Sequence, residues 1–69
     1  MEISKIGGAN GSLVMARVQC QGGTLTATKN NKTNIVSVVF SDEWGDVRFA
    51  DPKQFGKAYA TVKDAVMDV

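Results

Sequence analysis

Along residues 12–21 apolar and polar positions alternate. Val14, Ala16, Val18 and Cys20 point one way, and Met15, Arg17, Gln19 and Gln21 the other. A period of two marks a half-buried strand. Gly22-Gly23 then supplies the positive φ angles of a tight hairpin, and a second strand follows from Thr24 to Lys29. Here Leu25 and Ala27 point inward, and Thr24, Thr26 and Thr28 outward. Asn30-Asn31 marks the next turn, because asparagine tolerates the left-handed region. The third strand, Asn34 to Ser41, is the most apolar, with Ile35, Val36, Val38, Val39 and Phe40 spread over both faces. Two apolar faces suit a central strand, or one whose second face is covered by something else. Asp42-Glu43-Trp44-Gly45 reads as a turn with Gly45 at a left-handed bulge position. The fourth strand runs from Asp46 to Ala50, with Val47 and Phe49 expected inward and Arg48 outward.

The period then changes. Asp51 can cap free N–H groups and Pro52 suits a first helical position. From there Phe55, Ala58, Tyr59, Val62, Ala65, Val66 and Val69 share one face at about 100° per residue. Lys53, Lys57, Asp64 and Asp68 share the opposite face, with the charges reversed relative to the helix dipole. The spacing predicts one amphipathic helix from Pro52 to Val69. Short connections favour an antiparallel meander. The expected architecture is therefore α+β: a four-stranded antiparallel meander and one C-terminal helix on one sheet face (ββββα), spanning residues 12–69. Residues 1–11, with Gly7, Gly8 and Gly11, read as a flexible or weakly ordered N-terminal arm in which Ile3 and Ile6 could pin a short extra strand.

A chain of 69 residues supports one small domain. Cys20 is the only cysteine and there is no histidine, so neither an internal disulfide nor a zinc site can reinforce it. Self-association as a homodimer is the remaining route to extra burial. The net charge of +1 announces neither nucleic acid nor membrane. No apolar run approaches the roughly 20 residues of a membrane span, and residues 1–8 lack a signal peptide's apolar stretch. A cytoplasmic protein with no membrane partner is the expectation.

Catalytic chemistry finds little support. Without histidine there is no nucleophile–histidine pair, and Cys20 alternates with inward residues as a small hydrophobe. The glycine-rich stretch 7–11 lacks the Lys-Ser/Thr ending of a phosphate loop. Asp42, Glu43 and Asp46 cluster without a calcium-loop spacing, and read as a solvated turn. The chain is expected to be no enzyme and to need no cofactor and no metal.

Binding is the alternative. The face opposite the helix is expected to show Met15, Arg17, Gln19, Thr24, Thr26, Thr28 and Arg48. A single strand of nucleic acid could lie there, its phosphates near Arg17, Lys29, Lys32 and Arg48. Otherwise a protein could dock. Trp44, set among Asp42, Glu43 and Asp46, is either an interface or stacking residue or a lid folded over the sheet edge. A second copy could cover Ile35 and Val39 on the third strand. The strand–strand–strand–strand–helix order with Asp51-Pro52-Lys53-Gln54-Phe55 opening the helix resembles the single-stranded-DNA-binding domain of the coactivator family positive cofactor four. The resemblance implies a dimeric, single-stranded-DNA-binding meander and assigns no individual binding residue. The competing class is a small phage or mobile-element protein that inhibits or modulates a host complex such as a defence system. A structural, self-associating subunit is the third.

Overall fold

The computed structural model describes residues 2–6 and 12–68, the side chains of residues 4–6 excepted. Five strands form one antiparallel sheet in the order β1-β2-β3-β4-β5: β1 Glu2–Ile6, β2 Leu13–Cys20, β3 Gly23–Asn30, β4 Ile35–Asp42 and β5 Val47–Phe49. Two helical segments follow, α1 Pro52–Phe55 and α2 Lys57–Met67. The class is the expected α+β meander, with one strand more than the four expected. The additional strand is β1, drawn from the segment expected to be an arm. It pairs with β2 from Glu2 opposite Arg17 to Ile6 opposite Leu13. The rest of that arm, Met1 and residues 7–11, lies outside the described residues.

Alternation places the core where the sequence puts it for β2 and β3. Val14, Ala16, Leu25, Ala27, Val38 and Phe40 are buried on one sheet face, and Val62 and Val66 of α2 close over them. Val18, Cys20, Val36, Phe55, Ala58, Tyr59 and Ala65 pack around this centre. The Phe40 and Phe55 rings lie 4.9 Å apart, tilted by 34°, within the range of a favourable aromatic pair. Lys53, Lys57, Asp64 and Asp68 are exposed, so their reversed dipole order is screened by solvent.

The turns follow local chemistry. Gly22 takes φ +86° between β2 and β3. Gly23 lies in β3, where an added Cβ would crowd the Ser41 carbonyl and come within 2.8 Å of the Phe40 ring. Between β3 and β4 the left-handed residue is Asn34 (φ 59°), and the Asn30 side chain accepts from the Lys32 N–H at 2.9 Å.

The C-terminal segment departs from one continuous helix. Asp51 caps α1, its Oδ1 accepting from the Lys53 N–H at 2.9 Å. The Gly56 N–H donates to the Pro52 carbonyl and ends that turn. Gly56 itself sits at φ 53°, ψ −118°, a conformation side-chain-bearing residues rarely adopt. The hydrophobic stripe survives because the break falls between Phe55 and Ala58, both of which still reach the core. Gly56 tests two opposed effects. Helix propensity alone favours alanine by about 1 kcal/mol, whereas its backbone angles penalise alanine by about 1–3 kcal/mol. Nothing lies within 4 Å of a Cβ built there, so the backbone decides. Gly56→Ala is expected to lower the denaturation midpoint; a raised midpoint would mean the helix runs through.

Candidate docking face

The sheet face away from α2 is set by register. One cross-strand row runs Arg17, Thr26, Val39, Phe49, and the next Gln19, Thr24, Ser41, Val47. Met15 aligns with Thr28 and Ser37, and Leu13 with Asn30 and Ile35. The face therefore divides. Towards β1 it is polar, with Glu2, Arg17, Gln19 and Thr24 lining a half-open concavity of about 420 Å³. Towards β5 it is more apolar, with Val39 on β4 beside Phe49 and Val47 two residues along β5, while Ile35 stands apart at the far end of β4 beyond Ser37.

This corrects the orientation expected for β5. Val47 and Phe49 face away from the core and are 63% and 82% exposed. Arg48 instead lies opposite Phe40, on the helix side. The cause is the turn: the Asp42 N–H donates to the Asp46 carbonyl at 3.0 Å. Asp42 and Asp46 thus face each other and every later residue of β5 inherits that parity. The three residues between them, with Gly45 at φ +88°, fix the register.

Asp42 builds this turn. Its Oδ1 accepts from the N–H groups of Trp44 at 2.9 Å and Asp46 at 3.0 Å, and its Oδ2 lies 3.8 Å from the Arg48 guanidinium. Half-buried and engaged by its own loop, Asp42 organises the surface and presents Glu43, Trp44 and Asp46, all exposed. Trp44 is 87% exposed and is no lid.

The four expected phosphate contacts do not share a surface. Arg17 is on the open face. Lys29 pairs with core-side Val14 and Val36 and so belongs to the helix side by parity, as does Arg48. Lys32 is exposed in the turn between β3 and β4. Ile35, 66% exposed, and half-buried Val39, the pair marked for self-association, share the open face with Ser37 between them. Val47 and Phe49, both expected inward, adjoin Val39 on this face. The signal was present in the turn length, since three residues between Asp42 and Asp46 put Val47 and Phe49 in step with Val39.

Among the described residues no cluster of His, Cys, Asp and Glu is arranged to hold a metal ion, and no helix is long and apolar enough to cross a membrane. No family model matches the chain, and no curated protein or solved structure is significantly similar to it.

The exposure of β5 carries a stability consequence. Truncating a buried phenylalanine typically costs about 3–5 kcal/mol, while surface substitutions usually stay within about 0.5 kcal/mol. Phe49→Ser is expected to fall in the second range by urea denaturation, with Leu25→Ala, in the core, falling near the first.

Proposed function

We propose that the protein is a non-catalytic binding module that docks onto another protein through the β4–β5 side of its open sheet face. The observation that carries this reading is the exposed apolar pair Val47 and Phe49, with Val39 directly opposite Phe49 and Trp44 in the adjoining turn. Contiguous exposed apolar surface with a polar rim characterises interaction sites, and aromatic residues dominate their energetics. The adjoining turn is acidic, through exposed Glu43 and Asp46. The fitting partner is a protein patch with an apolar centre and lysine or arginine around it. A small modulator that acts by occupying a host protein's basic surface belongs to this class.

Single-stranded nucleic acid is the second reading. Its support is the row joining Arg17 to the exposed Phe49 ring, a cation and a stacking platform on one face. Two features weigh against it. Lys29 and Arg48 belong to the opposite side, and Trp44 lies between carboxylates that repel phosphate.

One paired experiment separates the two. Capture of a protein by the immobilised chain is expected to survive with wild type and to fall roughly tenfold or more with Trp44→Ala or Phe49→Ser, as for hot-spot residues. Titration with a labelled single-stranded oligonucleotide at low salt is expected to show no binding. Binding with a log–log salt slope of about −0.7 per phosphate contact, lost with Arg17→Ala, would replace the first reading by the second.

A further inference from the structure

We propose that two copies of this chain join edge to edge through β5, in one defined antiparallel register centred on Val47. This goes beyond the docking reading, because it uses the strand edge and leaves the open face free.

Three observations lead there. First, β5 is the outer strand of the sheet. Ala50 donates to the Val38 carbonyl and Asp42 to the Asp46 carbonyl, so even-numbered residues bond inward to β4. Ladder alternation then turns the N–H and C=O groups of Val47 and Phe49 outward. Second, α2 packs on β2, β3 and β4, and all three β5 residues are exposed. Unprotected edges of this kind are templates for another strand.

Third, the charges choose the register. A two-fold axis through Val47 makes Val47 bond reciprocally to the partner's Val47. Asp46 then falls directly opposite the partner's Arg48, and Arg48 opposite the partner's Asp46. These are non-hydrogen-bonded positions, where Cα atoms approach to about 4.5 Å and side chains interact most closely. Phe49 falls opposite the partner's Gly45, where nothing stands within 4 Å of a Cβ position. Shifting the axis to Arg48 sets guanidinium against guanidinium, and shifting it to Asp46 sets carboxylate against carboxylate. Only the Val47-centred register pairs both charges with their opposites. It extends the sheet to ten strands, five from each copy, with both open faces on the same side.

So short a junction belongs to the small, reversible class of interfaces. Sedimentation of the full chain is therefore followed up to concentrations on the order of a millimolar. Wild type is expected to show a concentration-dependent dimer. Arg48→Glu and Asp46→Lys each create two like-charge pairs and are expected to weaken it by roughly tenfold or more. An equal mixture of the two variants restores opposite charges at both positions and is expected to form a heterodimer. Both positions are exposed, and circular dichroism checks that the variants fold. Hydrogen exchange gives a second readout, with the Val47 amide protected increasingly as concentration rises. A wild type that stays monomeric, variants that dimerise like wild type, or a mixture that does not recover would each overturn the pairing. Monomeric wild type that still captures protein through Trp44 and Phe49 would leave the docking reading standing. A dimer whose capture is indifferent to both residues would do the reverse.

Discussion

One helix has to roof a five-stranded sheet, and it is too narrow to do so. A helix with its side chains is about 10–12 Å across, whereas strands repeat every 4.7–4.9 Å or so. Three neighbouring strands span roughly 9.5 Å between their outer axes, so α2 can cover about three. The buried residues obey this limit: on the sheet they come from β2, β3 and β4, the strands on which α2 packs. Leu25 and Ala27 on the middle strand are fully buried beneath it. β5, lateral to that footprint, is left to solvent, and no described residue of the reverse face is buried.

The same limit explains the join at Gly56. Phe55 must reach Phe40 near the β5 side, while Val62 and Val66 must close the core centre. A glycine with φ 53° and ψ −118° lets α1 end and α2 start without losing either contact. Sequence periodicity could not reveal this, because the break leaves the inward positions in step. An isolated glycine inside a helical pattern carries two readings, a tolerated weak link or a boundary, and only the dihedral angles decide between them.

Legibility tracked the strength of the buried pattern. β2 and β3 alternate cleanly, and the inward residues named from sequence are those the helix covers. β4 was ambiguous because both of its faces are apolar. That ambiguity was itself informative, since Val36, Val38 and Phe40 serve the core and Ile35 and Val39 the open face. β5 was misread by one residue of parity. In so short a strand, Val-Arg-Phe satisfies "apolar in, charged out", and the rule assumes that the strand has a core to face. Register there is dictated by the Asp42–Asp46 bond and Gly45, not by burial. β1 was the weakest signal for a similar reason: Ile3 stays about half exposed, so no strong alternation announces it.

Folding gives β5 little reason to be apolar. None of its residues is buried, so threonine or lysine would serve the sheet as well, and charged residues are the usual protection for an exposed edge. Its neighbours in the turn show the opposite economy. Asp42 uses both carboxylate oxygens to hold the loop and Arg48, a well-organised turn whose visible effect is to hold Trp44 in solvent. A fold this small has few residues to spare. Val47 and Phe49 lie outside the core on one face, with Trp44 exposed in the turn before them, and a surface contact is the physical role that their chemistry suits. The core beneath α2 makes the domain stand. The uncovered flank, which the helix is too narrow to reach, is where selection for anything other than folding has room to act.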